Sequence, residues 1–267
     1  MIGAHHYGEH DDQLGDLLVP TGDAPPTGWP TVVVIHGGFW RERYRRDLTA
    51  PLAQDLAAHG VAAWNIEFRR VEGDGGWPAT FEDVGAAIDH LADPVLPVDP
   101  GRIAVVGHSA GGHLALWAAG RAALPAAAPG AHPRVVPRGV VGLAPVADLL
   151  GCHRAALSAG AARLLVGGDP GEVPERWERA DPMRGVGHGL PVLLLHGLDD
   201  TDVPVAFSRR YRDAAAAAGD PVELVTPAID HMSLIDPEGP SWEIARRWLV
   251  RALAGAIRRG LGPTAAR

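Results

Sequence analysis

Ser109 stands midway in the run Gly107-His108-Ser109-Ala110-Gly111, directly after the apolar stretch Ile103 to Val106 and before the helix-forming residues Gly112, His113 and Leu114. A serine at a sharp strand-to-helix turn is held at strained backbone angles. Residues with almost no side chain two positions to either side let strand and helix pass closely. The hydroxyl is thereby lifted clear of the sheet over a helix N-terminus, which favours developing negative charge. That is the setting of a nucleophile that attacks an acyl carbon.

Such a hydroxyl needs a histidine to take its proton and an acid to fix the histidine's tautomer. Among 13 histidines, His231 is set apart by its place in the loop after the last expected strand, between Asp230 and Met232. Asp200 follows the strand expected at Val192 to Leu195, with Asp199 and Asp202 beside it; Asp148, at the end of a different strand, competes for the same role. Attack on a carbonyl also leaves charge on oxygen, which fixed N–H donors must already face. His36-Gly37-Gly38-Phe39-Trp40 closes the strand Thr31 to Ile35. A glycine pair lets backbone approach the substrate, so the amides near Gly38 and Phe39, with Ala110 after the serine, are the expected donors. Phe39, Trp40 and His108 are expected against the substrate, and His36 is read as a structural residue that holds the loop by hydrogen bonding. No cofactor and no metal is called for. His5, His6 and His10 have no acid or cysteine spaced to complete a ligand set.

The elements that must bring these groups together alternate along the chain. Strands are expected at Thr31 to Ile35, Val61 to Phe68, Arg102 to Val106, Gly139 to Ala144, Pro191 to Leu195 and Pro221 to Val225, with helices between them. Leu48, Leu52 and Leu56 recur at helical spacing up to His59. Phe81, Val84, Ile88 and Leu91 do so after Thr80; Phe207, Tyr211, Ala214 and Ala218 line a third helix, and a last one is expected from Ser241 to Arg258. This alternation predicts an α/β fold, a mostly parallel sheet with helices on both faces. Gln13 to Val19 reads as an antiparallel edge strand. Residues 149–189, with short helical pieces only, read as a small lid-like insertion after the sixth strand, within a single domain covering 1–267. Strand ends on one edge of a parallel sheet converge, so residues ~90 and ~120 positions beyond Ser109 can meet it there.

Composition narrows the partners. The chain has 267 residues, 46% of them hydrophobic, and a formal charge of −8. Nucleic acid and anionic membrane both require a basic face, so a small molecule is the expected partner. Every one of the 24 basic residues is arginine, a usage to which no function is attached. Cys152 is the only cysteine, which excludes an intrachain disulfide and a CxxC site. The first ten residues read as neither a secretory signal nor a membrane span, which gives a cytoplasmic protein as the expectation.

Three groups of residues together resemble the α/β-hydrolase family and, within it, the esterase branch with an HGG oxyanion loop: His36 to Trp40, Gly107 to Leu114, and the HGxxDxxVP segment from His196 to Pro204. The resemblance runs from about Tyr7 to Leu253, and the stretch Asn65 to Arg69 and the pair Pro78 and Asp83 add to it behind the oxyanion loop. It implies that Asp200 is the acid, with Ser109 as nucleophile, His231 as base, and ester hydrolysis through an acyl-enzyme. HGGFW followed by GHSAGGHL is similar to kynurenine formamidase-like hydrolases and to bacterial esterases related to feruloyl esterases. The HGxxDxxVP segment is also similar to prolyl-oligopeptidase-type peptidases. The resemblance leaves three alternatives to the ester open: an aryl formamide, a peptide or amide, and a homologue that binds a ligand without catalysis.

Overall fold

The computed structural model describes residues 2–257. Arg258, and the ends of the 1–267 span expected for the domain, lie outside the described residues. Eight strands form one sheet: β1 (Ile2–His6), β2 (Leu14–Leu18), β3 (Trp29–Ile35), β4 (Ala62–Ile66), β5 (Val98–His108), β6 (Val140–Leu143), β7 (Val192–Leu195) and β8 (Val222–Val225). Their order is β1-β2-β4-β3-β5-β6-β7-β8. From β4 to β8 every pairing is parallel, whereas β1 and β2 join antiparallel to each other and to β4.

The helices are α1 (Ala50–Ala58), α2 (Ala79–Asp89), α3 (Ala110–Ala119), α4 (Leu149–Arg154), α5 (Leu157–Val166), α6 (Pro174–Ala180), α7 (Ala206–Ala217) and α8 (Pro240–Leu253). The pleat decides which core each strand residue enters. Val33 and Ile35 of β3, Ile103 and Val105 of β5 and Val192 and Leu194 of β7 join one cluster with Phe81 of α2, Leu114 of α3 and Phe207 of α7. Their neighbours Val32, Val34, Ala104, Val106, Leu193 and Leu195 face the opposite way, against Leu52 and Leu56 of α1 and Trp242 and Trp248 of α8. Strands buried on both faces explain the near-continuous apolar runs in the sequence. This is the α/β-hydrolase architecture.

Three expectations are corrected. The strand at Leu14–Leu18 is antiparallel, but it is not the edge, because β1 lies outside it. The segment Ile2–His6, with histidines at its last two positions, lacks the continuous apolar run that marks the inner strands. The last helix ends at Leu253, earlier than its pattern suggested. Finally, β5 reaches back through Asp99, Pro100 and Gly101 to Val98, which pairs with Trp29.

Candidate active site

Ser109 links β5 to α3 with φ 56° and ψ −116°. Its N–H donates to the Leu143 carbonyl at 2.8 Å and its own carbonyl accepts from Val146 N–H at 3.1 Å, so the strained turn is fastened to the end of β6. The flanking glycines are required by contact. A Cβ on Gly107 would stand 2.1 Å from the Gly111 carbonyl oxygen, and one on Gly111 2.2 Å from that of Ile35.

Beside this elbow, His231 Nδ1 donates to Asp200 Oδ2 at 2.6 Å. The opposite oxygen of Asp200 accepts from the N–H groups of Asp202 and Val203 at 2.9 and 2.8 Å. His196 also lies within reach, its Nε2 3.3 Å from Asp200 Oδ2. That nitrogen donates to the Val203 carbonyl at 2.9 Å, and Nδ1 accepts from the Ser208 hydroxyl at 2.7 Å, so the ring is a fixed tautomer. Burial, the largest influence on the Asp200 carboxyl, pushes its pKa up. The hydrogen bonds from His196, His231 and Val203 together outweigh it and hold the group well below the ordinary carboxylate range. Asp200 thus stays an acceptor, and His231 is left with Nε2 unbonded among the described residues. The described hydrogen bonds include none between His231 and the Ser109 hydroxyl; the contact between the two segments runs through His108, whose ring centroid is 4.5 Å from that of His231.

Asp148 is occupied elsewhere. One of its oxygens caps α4 by accepting from Gly151 N–H at 2.6 Å, and the other accepts from Arg210 Nε at 2.7 Å. Asp230 accepts from Ser233 N–H at 2.8 Å.

The oxyanion-loop expectation falls on a segment of unusual backbone: Gly38, Phe39 and Trp40 have φ of 106°, 51° and 58°. A side chain at Gly38 would collide with Tyr44, whose Cδ2 is 2.3 Å from the position of a Cβ. Among the described residues, the N–H groups of Gly38 and Phe39 donate to no protein acceptor, and that of Ala110 stands in the first turn of α3, where helical partners are lacking. The loop is fastened from behind. His36 lies between two acceptors, its Nδ1 2.8 Å from the Gly37 carbonyl and its Nε2 2.8 Å from Glu67 Oε1. Glu67 also accepts from Arg46 N–H at 3.0 Å and pairs with Arg70. The fully buried Arg70 reaches Glu42 Oε1 at 3.1 Å and Asp12 Oδ2 at 3.2 Å. Burial raises the Glu67 carboxyl, but His36, then Arg70 and the Arg46 amide, bring it below its ordinary value. From the sequence, Glu67 and His196 enter only within the resembling stretches Asn65 to Arg69 and His196 to Pro204, and Arg70 not at all. The signal was there for Glu67 and Arg70: three charged residues directly after an apolar strand, Ile66-Glu67-Phe68-Arg69-Arg70, of which these two are buried and require partners.

One expected substrate contact is corrected, and another is as buried as the nucleophile itself. Trp40 is fully buried in the core, edge-on to His113 with ring centroids 5.1 Å apart. His108 is 2% exposed, with its Nε2 on the His231 carbonyl. Phe39 stays half-buried against the core. An open cavity of about 420 Å³ lined by Arg41, Arg43, Glu72, Ser158 and Ala159 lies between the end of the oxyanion loop and α5. There Arg41 Nε donates to the Ser158 hydroxyl at 3.1 Å.

Asp200, Asp202 and His231 are the one group among the described residues whose ligand atoms, all within 4.8 Å of one another, could hold a metal ion. The 2.6 Å bond between His231 and Asp200 and the two amides on Asp200 already account for that grouping.

Among the described residues no helix is long and apolar enough to cross a membrane. A family model described as BD-FAE matches residues 16–214, most of the chain. The chain is 31% identical over 247 residues to an acetyl-hydrolase of Streptomyces hygroscopicus, covering 81% of this chain and 76% of that protein. It is 29% identical over 215 residues to esterase LipC of Mycobacterium tuberculosis, of which it spans about half, 52%. Among solved structures, a truncated carbohydrate esterase from gut microbiota superposes with a TM-score of 0.81 at 20% identity, covering 94% of this chain and 95% of that one. Esterase B of Lactobacillus rhamnosis gives 0.78 at 20% identity over 96% and 85% of the two chains, which is a likeness of fold. With this family model matched across most of its length and this order of strands around Ser109, the chain belongs to the BD-FAE family, in the esterase branch of the α/β-hydrolases.

Proposed function

We propose that the protein hydrolyses a carboxylic ester of a small molecule, with Ser109, His231 and Asp200 as its catalytic residues. The observation that carries this reading is the 2.6 Å bond between His231 and Asp200 beside a serine held at φ 56°. His231 Nε2 takes the proton as Ser109 Oγ attacks the carbonyl carbon. The oxyanion is held by N–H groups at Gly38, Phe39 and Ala110. The tetrahedral adduct collapses, and the alcohol leaves with the proton from His231. Water then attacks the acyl-serine, His231 again accepting a proton; the second adduct collapses, His231 returns that proton to Ser109 Oγ, and the carboxylic acid departs. Asp200 orients the imidazole and steadies its positive charge.

The names of the relatives, an acetyl-hydrolase and a carbohydrate esterase, support a small acyl group on a polar alcohol. Residues 149–189, carrying α4 to α6, act in this reading as a small lid-like insertion of one domain; the bond from Arg41 to Ser158 supports its closeness to the site. We place the protein in the cytoplasm, which its one buried, unpaired cysteine supports; fractionation of the producing cells tests this.

Ser109→Ala is expected to lower hydrolysis of a short-chain nitrophenyl ester by several orders of magnitude, as removal of such a nucleophile does. Unchanged turnover by the folded variant would overturn the assignment. A panel of acetyl, longer acyl and feruloyl esters beside an aryl formamide and a peptide amide then ranks the acyl and leaving groups.

A further inference from the structure

His108, the residue between the first glycine and the serine, is buried against the imidazole it was not expected to serve. Its Nε2 lies 3.1 Å from the main-chain carbonyl oxygen of His231. A carbonyl can only accept, so Nε2 carries the proton and Nδ1 is left with a lone pair. The two rings are tilted by 47° with centroids 4.5 Å apart. On its other side the ring meets the oxyanion loop: a Cβ on Gly37 would lie 3.0 Å from His108 Nδ1. The ring therefore fills the space between the loop that carries His231 and the loop that carries Gly38, while its own backbone belongs to β5.

His231 needs such a fastening. Its side chain is held at Nδ1 by Asp200, but Nε2 must meet Ser109, and the depth of the ring depends on where the backbone of residue 231 sits. The preceding residues are tied to the β7 loop, through Leu198 N–H to the Pro227 carbonyl at 2.8 Å and Asp199 N–H to that of Ile229 at 3.2 Å. Those bonds locate the loop relative to Asp200. Only the His108 bond, among those described, locates residue 231 relative to the nucleophile.

We propose that His108 is a positioning residue, whose Nε2–H grips the His231 carbonyl and sets the imidazole at the depth from which it reaches Ser109. The proposal rests on the catalytic reading above. Burial first, then the nearby His231, lowers the His108 pKa to about 3, so the grip stays neutral wherever the imidazole partner is used and adds no charge beside it.

The test compares His108→Leu, which keeps comparable bulk and loses the donor, with His108→Gln, whose amide nitrogen reaches about as far as Nε2, and His108→Asn, whose amide falls short. Misplacing a catalytic group by an ångström costs about a hundredfold. The leucine and asparagine variants are therefore expected to lose about that factor in kcat on a nitrophenyl ester with KM little changed. Labelling of Ser109 by a fluorophosphonate should slow in parallel, and glutamine should restore both to within about threefold of the parent. The downfield proton resonance of the His231 to Asp200 bond should persist in the glutamine variant and broaden in the other two. If the leucine variant does not fold, glutamine against asparagine decides alone. Equal rates in those two, or a change confined to KM, overturn the proposal. Ser109→Ala run alongside separates the cases: if it stays active the catalytic reading fails, and if it is inactive while His108→Leu matches the parent, only the role of His108 fails.

Discussion

The two loops that meet at Ser109 are fastened by different means. On the β3 side, the oxyanion loop is tied down by buried charges: His36 to Glu67, Glu67 to Arg70, and Arg70 on to Glu42 and Asp12. On the β7 and β8 side, the loops carrying Asp200 and His231 are joined by backbone hydrogen bonds and by the bond from His231 to Asp200, with His196 and His108 beside it, each held in one tautomer. The backbone angles explain the contrast. Gly38, Phe39 and Trp40 sit at positive φ in succession, and such residues cost on the order of 1–3 kcal/mol each when they carry a side chain. His231 has φ −62° and ψ −43°, ordinary values that need no such restraint. Charge-assisted bonds, about twice as strong as neutral ones, stand where the chain is strained. On the other side one carboxylate, Asp200, is held by His231 and two backbone amides, so that a charge can appear on the imidazole and vanish during turnover.

The sharpest way to break this comparison is at the acid. Asp200→Asn is expected to lower kcat by about four orders of magnitude, because the amide favours the wrong imidazole tautomer. Asp148→Asn, which touches only Gly151 and Arg210, should change kcat less than about twofold by the same assay of nitrophenyl ester turnover. Equal losses in the two would reverse the assignment of the acid. On the other side, Glu67→Gln removes the centre of the buried charges. It should cost about 3–5 kcal/mol in urea unfolding, since it leaves Arg70 and His36 short of their partner. A variant as stable as the parent would show that the loop is held by something else.

Trp40→Ala tests whether that residue belongs to core or cleft. A fully buried Trp should lose about 3–5 kcal/mol of stability, with KM nearly unchanged while the protein is folded; a raised KM with full stability would return Trp40 to the pocket. The smallest effect is expected at Asp181, which accepts from Met183 N–H at 3.1 Å and whose pKa is raised by burial, and then by Asp148, from 3.8 to about 6. Its folded value lies above its unfolded one, so the stability it contributes is complete below pH 3.8 and is lost as pH rises through about 6. Asp181→Asn should flatten that part of a melting-temperature profile, and an unaltered slope would contradict it.

The sheet from β3 to β7 was legible because burial on both faces writes a run of apolar residues at each strand, and because glycine marks the helix ends near Gly60 and Gly219; the edge strand β8 was legible from the alternation Val222, Leu224 around Glu223. β1 was not, since an edge strand with one neighbour has no reason to be apolar on both faces. The site was legible to the extent that each group sits at a strand end. The side chains that fasten those groups were not. His108 acquires its partner from residue 231, and His196 from Ser208 on α7; nothing near either in the chain indicates which way its ring will face. Trp40 was misread for a related reason: adjacency to Phe39 says nothing of orientation, and its positive φ turns the indole inward.

The hairpin of β1 and β2 reaches further into function than its place at the rim of the sheet suggests. Tyr7 Oη donates to the Glu67 carbonyl at 2.6 Å, Gln13 Nε2 to Asp83 Oδ1 at 2.6 Å, and Asp12 completes the shell of Arg70. Trimming the first fourteen residues to improve expression would thus be an indirect lesion of the catalytic loop. A bulky purification tag fused there would press on the same brace.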